Sequence, residues 1–226
     1  MDALFLKLLT VFDELGLWKD GVELIGSWSF LLYQRHLGVR PLPLRTQDID
    51  FLLPWPYPAR SSVALSNALS KLGFHSASNA DGSNYYIHPE LKLEFLSPER
   101  GKGGLEARAI KPLGLRAVTL RFMDMLLKDS IYLEEGAVRV RVPKPLNFCL
   151  HKFIIAQRRV SSDKREKDIQ QAVYVLAVLE PTAFKAGFED LPPKWKKLAQ
   201  KSFATAWDLF PLERPILARH QLAPQA

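Results

Sequence analysis

The sequence predicts an α/β (α+β) fold in two parts: a small mixed sheet flanked by helices over residues 1–142, and a helical part over residues 143–226. Three observations carry this prediction. Up to residue 142, short apolar runs of strand length alternate with runs of helical spacing. Pro143 and Pro145 then punctuate the chain. After them only helical periodicity continues, so strand-bearing and helical segments are segregated rather than interleaved.

Taken in order, Leu4, Phe5, Leu8, Leu9, Phe12 and Leu15 predict an amphipathic helix within 3–18. Val22–Ile25 is a short apolar run closed by Gly26, which reads as a buried strand. Trp28–Leu37 returns to helical spacing, and Pro41 and Pro43 place a loop after it. Asp48–Leu53 alternates acid and bulk and is ended by Pro54, as a strand would be. Ser61–Leu72 predicts a helix stopped by Gly73. Tyr85–Ile87 and Leu91–Leu96 predict two strands, Thr119–Lys128 a mixed segment, and Val138–Val142 a further strand. Helices are predicted at Asn147–Arg159, at Asp163–Leu179 with Asp163 as N-cap and Glu166 three residues on, and at Pro192–Leu209. The end, Leu222–Ala226, is expected to fray.

Composition removes several function classes. With one cysteine, Cys149, in the apolar stretch Leu146–Ile155, no intrachain disulfide can form, and a buried inert thiol is expected. Five scattered histidines offer no zinc spacing. No apolar run reaches the roughly 18 residues that a membrane span needs. The N-terminal stretch is interrupted by Lys7, Asp13 and Glu14 and lacks a cleavage site, so it is expected to be a helix rather than a signal peptide. The expected location is therefore cytoplasmic. A net charge of +7 suits a polyanion such as nucleic acid or a triphosphate, and is equally compatible with a merely soluble basic surface.

The chemistry concentrates at Asp48-Ile49-Asp50. Residues two apart on a strand face the same way, so two carboxylates stand side by side, about 6–7 Å apart. Asp is disfavoured in strands and like charges repel, which a shared divalent cation relieves. Upstream, Gly26-Ser27 lies between a strand and a helix. Glycine admits a close ligand, the helix end offers free N–H groups to phosphate, and Ser27 adds a hydroxyl.

This arrangement of a strand ending in Gly-Ser, then a helix, then Asp-x-Asp in an apolar strand resembles the signature of polymerase β-like nucleotidyltransferases. Arg45 to Phe51 further resembles the Arg-x-x-Asp-Ile-Asp segment of the subgroup that includes AbiEii-type toxins. Downstream, His151–Arg159 and Lys164–Ile169 resemble that subgroup's later motifs, a Lys on one helix and a Lys-Asp on the next. The motif-level resemblance spans roughly residues 20–55 and 140–180. The gap from Gly-Ser to the first Asp, residues 28–47, is longer than the superfamily's usual spacing, and the proline-bearing stretch Arg40–Leu44 accounts for the excess.

The resemblance implies transfer of a nucleoside monophosphate from an NTP to an acceptor hydroxyl, with Mg2+ or Mn2+ as cofactor. It implies Asp48, Asp50 and Glu94 as catalytic and metal-binding carboxylates. Gly26, Ser27, Arg45, Lys152 and Asp168 would bind nucleotide, with Lys152 neutralising phosphate charge and Asp168 orienting Lys152 or Arg165. Arg45 could equally pair with Asp48. RNA or protein is the implied acceptor, and a toxin-like role would bring an antitoxin partner. The alternatives are a catalytically degenerate nucleotide- or RNA-binding protein of the same fold, and an RNA-binding adaptor. Two further features are read as structural. Gly101–Gly104 lacks the Ser or Thr of a phosphate-binding P-loop and is expected to be a surface loop. Trp55 and Tyr57 either stack a base or pack within their proline-rich loop.

Overall fold

The computed structural model describes residues 3–43, 46–58, 62–99 and 107–223. It forms two compact units. One comprises Met1–Leu32 with Leu44–Pro143, and the other Tyr33–Pro43 with Lys144–Ala226.

In the first unit, α1 (Ala3–Glu14) buries Phe5, Leu8, Leu9 and Phe12, an i, i+3, i+4, i+7 stripe. β1 (Glu23–Ile25) runs directly into α2 (Gly26–His36). Then come β2 (Asp48–Leu52), α3 (Leu65–Lys71), β3 (His75–Ser78), β4 (Asn84–Ile87), β5 (Lys92–Pro98), β6 (Arg108–Ile110) and β7 (Leu115–Leu120). Their sheet has the order β1-β2-β5-β4-β3, with β7 joining the far end of β5 and carrying β6. β2 and β7 run parallel to β5, and the other pairs are antiparallel. The hairpin β8 (Ile131–Glu135) and β9 (Val138–Val142) forms a separate two-stranded sheet.

The central strands bury both faces at one end and only one face at the other. On one face Phe51 and Phe95 lie 5.8 Å apart and pack with Phe12 and Trp18, the ring of Phe12 being 4.3 Å from Phe51. On the opposite face, Ile25, Leu52 and Leu96 are covered by Met123 and Leu126. That cover leaves the N-terminal ends of β2 and β5 open on the same face, where Asp48 and Asp50 lie. Alternation along β2, exposed, buried, half-buried, buried, buried, records this change.

The second unit takes the last turns of α2 and the helices α4 (Pro145–Ala156), α5 (Ser162–Leu176), α6 (Pro181–Glu189), α7 (Pro193–Leu209) and α8 (Arg214–Arg219). α4, α6 and α7 each open on proline, whose fixed φ and missing N–H suit the first helical position. Tyr33 belongs here because its ring meets Phe148 edge-on at 5.2 Å. Phe153 meets Phe203 edge-on at 4.9 Å, and the Ser202 hydroxyl donates to the Phe153 carbonyl at 2.6 Å, tying α7 to α4.

The mixed α/β class holds. Several elements depart from the sequence reading. β3, β6, β7 and β8 had no strand signal. His75–Ser78, for instance, is polar and mostly exposed, and owes its conformation to pairing with β4 rather than to an apolar face. α6 and α8 lay in segments without an assigned helix. The N-cap of α5 is Ser161, whose hydroxyl accepts from the Lys164 N–H at 3.4 Å, and not Asp163. Asp163 sits inside the first turn, where its charge complements the helix's positive end. The helix expected from residue 61 begins at Leu65. Residue 61, the loop Gly101–Gly104 and residues 224–226 of the tail lie outside the described residues.

Candidate active site

The register of the central strands assembles the acidic face. Across the parallel β2–β5 pair, Asp48 stands opposite Lys92 and Asp50 opposite Glu94. Across β1–β2, Ile25 stands opposite Asp50, and across β4–β5, Tyr85 stands opposite Glu94. Residues directly opposite share a sheet face. Asp48, Asp50, Lys92, Glu94 and Tyr85 therefore project to one side, while Ile49, Phe51, Leu93 and Phe95 fill the core on the other.

Gly26 joins this face through the turn from β1 to α2. Its φ is +67°, in the left-handed region that favours glycine. A Cβ built on it would fall 2.5 Å from Asp50 Oδ2. The Asp50 carboxylate is thus seated against the bare α-carbon of Gly26, and no other residue type fits both the conformation and the space. Ser27, half-buried, follows in the first turn of α2. Ser29, fully buried, donates its hydroxyl to the Gly26 carbonyl at 2.9 Å and fixes the turn from inside.

Lys92 is a participant that the sequence reading overlooked. Its ammonium contacts Glu94 Oε1 and lies 4.9 Å from the centre of the Tyr85 ring. The hydrogen bond to Glu94 holds its pKa above the ordinary lysine value against the opposing effect of burial, and the charges of Glu94 and Asp48 add to it. The signal was present, since Lys92 lies two residues before Glu94 and so shares its face. Among the described residues no three His, Cys, Asp or Glu side chains converge as a metal-ligand set. Asp50 is seated against Gly26, Asp48 stands two residues before it on the same face, and Glu94 is in contact with Lys92. Two adjacent hard-oxygen donors fit Mg2+ or Mn2+, which commonly take one or two carboxylates and complete their shell with water and substrate phosphate. Arg45 lies outside the described residues.

In the second unit, Lys152 and Asp168 form a buried ion pair, with Nζ to Oδ1 at 2.5 Å and side-chain exposures of 6% and 4%. The other carboxylate oxygen accepts from Arg159 Nε at 2.6 Å. Burial alone would raise the Asp168 pKa. The charges of Lys152 and Arg159 and their hydrogen bonds outweigh it and hold the carboxyl below its usual range. Asp168 is thus ion-paired with Lys152. Its second partner is Arg159 and not Arg165, which donates to the Arg159 carbonyl at 3.1 Å.

The remaining candidates are structural. Tyr57 is buried and its hydroxyl donates to Asp20 Oδ2 at 3.4 Å, while the Arg108 guanidinium lies 4.5 Å over Trp55. Cys149 is buried and donates to the Ala172 carbonyl at 3.3 Å, and burial pushes its thiol pKa well up.

A mixed sheet with a strand–Gly–helix turn set against paired aspartates defines the class of nucleotidyltransferase-like folds. The model of a family described as nucleotidyltransferase matches residues 4–194, and the chain belongs to that family. Its fold is similar to that of an antigenic nucleotidyltransferase-like protein from Paracoccidioides brasiliensis, at 14% identity and a TM-score of 0.53, over 96% of this chain and 92% of the other. A looser likeness is to the antibiotic-resistance factor ANT(2'')-Ia, at 12% identity and a TM-score of 0.38, over 94% and 95% of the two chains. No curated protein matches the chain in sequence. Among the described residues no helix is long and apolar enough to cross a membrane.

Proposed function

We propose that the protein transfers a nucleoside monophosphate from an NTP to an acceptor hydroxyl at the Asp48–Asp50 face, with Mg2+ or Mn2+ held by those two carboxylates. The observation that carries this reading is the seat of Asp50 against Gly26 in a chain of the nucleotidyltransferase family. Bound there, the cation would neutralise triphosphate charge and polarise the reacting oxygens. The chain's own groups supply the rest. The bare α-carbon of Gly26 makes room for the Asp50 carboxylate, and the first N–H groups of α2, with Ser27, bind phosphate oxygens. Arg45 adds positive charge to the triphosphate. The acceptor oxygen forms a bond to the α-phosphorus as the bond to the β-phosphate oxygen breaks, and pyrophosphate leaves. Glu94, projecting to the same face from the next strand, accepts the hydroxyl proton. In the second unit the Arg159 guanidinium, anchored on Asp168 through Nε, is the partly exposed charge of the Lys152–Asp168 group.

The AbiEii-like segments at Arg45–Phe51, His151–Arg159 and Lys164–Ile169 favour RNA or protein as acceptor, and with it a toxin-like role and an antitoxin partner. A second reading, nucleotide binding without turnover, is favoured by the Lys92–Glu94 contact, which occupies the third carboxylate. One experiment separates the two. Protein, labelled NTPs, Mg2+ and total RNA or protein are incubated, and label transfer is followed in wild type and in Asp48→Asn with Asp50→Asn. Transfer lost in the variant supports the enzyme. Nucleotide bound by wild type alone, without transfer, supports the second reading. Equal nucleotide affinity in both proteins refutes the site.

A further inference from the structure

The charge of this protein is divided unevenly. The second unit carries 16 Lys and Arg against 8 Asp and Glu, and the first unit 15 against 16. The helical unit therefore carries a net +8 and the first unit a net −1, so the protein's excess positive charge lies in the helical unit.

Within that unit α7 concentrates it. The helix buries Ala199, Ser202, Phe203 and Ala206 along one stripe. At 100° per residue, Lys194, Lys197 and Lys201 fall on the opposite side, and all three are exposed. Their rise along the axis is about 4.5 and 6 Å. Lys196, off this line, is neutralised by Glu189 at 2.9 Å, whereas among the described residues none of the three carries an ion pair. Asp208, seven residues beyond Lys201, is the acid on the same line. A row of three lysines without ion pairs among the described residues fits a regularly spaced anion. The most exposed large apolar residues described in this unit are Val160, Val178, Leu209 and Leu212, none of them aromatic.

We propose that the outer face of α7 binds the sugar–phosphate backbone of RNA through Lys194, Lys197 and Lys201. RNA is the polyanion that also carries acceptor hydroxyls, so the choice of RNA rests on the transfer reading above, while the binding itself does not. Recognition is by phosphate and therefore tolerant of sequence and steeply sensitive to salt.

The test is fluorescence anisotropy of a labelled single-stranded oligoribonucleotide with the full-length chain, free of metal and NTP, over a series of NaCl concentrations. Each neutralised phosphate contributes about −0.7 to the slope of log K against log salt, so three lysines account for about −2, or roughly a 20-fold loss of affinity between about 50 and 200 mM salt. Lys194→Gln, Lys197→Gln and Lys201→Gln together should flatten the slope by that amount. Lys7→Gln, Lys71→Gln and Lys111→Gln remove the same charge from exposed positions of the first unit and should leave the slope unchanged. Equal effects of the two triples, no effect of the first, or lysine-dependent binding of phosphatidylserine vesicles in place of RNA would overturn the proposal. Asp48→Asn with Asp50→Asn should bind RNA like wild type. Should that variant show the transfer reading to fail, RNA binding at α7 still stands or falls on the lysine triple alone.

Discussion

Glu23 offers the sharpest quantitative test of the fold. It lies on β1, fully buried, with Oε1 accepting from Ser130 and from Arg141 Nε at 3.2 Å, while Oε2 has no hydrogen-bond partner among the described residues. Burial raises its pKa from 4.5 to about 7, and the Ser130 hydrogen bond and the Arg141 charge offset only part of that rise. The folded state therefore holds a proton that the unfolded state has released between these two values. Stability from this group is fully present below pH 4.5 and is lost as pH rises through about 7. At about 1.4 kcal/mol per unit the loss is roughly 3 kcal/mol. His151 acts in the opposite sense. It is buried, its pKa is pushed down to about 3 by burial and then by the Lys152 charge, and its contribution falls as pH drops from 6.5 towards that value. The two effects overlap in wild type, so the informative quantity is a difference. Glu23→Gln keeps the shape and removes the titration. Urea unfolding of both proteins at pH 5, 6, 7 and 8 should show near-equal stability at pH 5 and the variant ahead by up to about 3 kcal/mol at pH 8. Parallel pH profiles would mean that Glu23 is ionised without cost in the folded chain, and that the buried reading of β1 is wrong.

Three other perturbations follow from the geometry. Gly26→Ala forces a side chain into the left-handed region, at a cost of about 1–2 kcal/mol in urea unfolding, and displaces the Asp50 carboxylate, so Mn2+ affinity by calorimetry should fall with it; a variant with wild-type stability and affinity would contradict the seat described for Asp50. Lys92→Met removes the cation beside Glu94 and Asp48 and should tighten Mn2+ binding by roughly 3–10-fold, an increment expected for one unit charge at this range in a partly exposed site; weaker binding would show that Lys92 helps to build the site rather than compete with it. Asp168→Ala strands the buried Lys152 ammonium and should cost about 3–5 kcal/mol, whereas Lys152→Met with Asp168→Leu should recover most of that loss, both measured by denaturant unfolding.

The sequence by itself determined the features whose signal is local. The stripe of α1, the apolar run at Val22–Ile25, the alternation at Asp48–Leu53 and the proline-marked change near residue 143 are signals of neighbouring residues. They set the element types and the direction in which Asp48 and Asp50 face. The Gly-Ser turn was visible because only a demanding backbone position makes glycine informative. The tertiary structure decided what depends on partners distant along the chain. The strand His75–Ser78 has no apolar face of its own and exists because β4 pairs with it. Glu94 lies beside Asp50 only because β2 and β5 pair in parallel in one register, and a shift of one residue would have turned it to the other face. That same register brings Lys92 level with Asp48, so it settled not only which carboxylates meet but also which cation meets them.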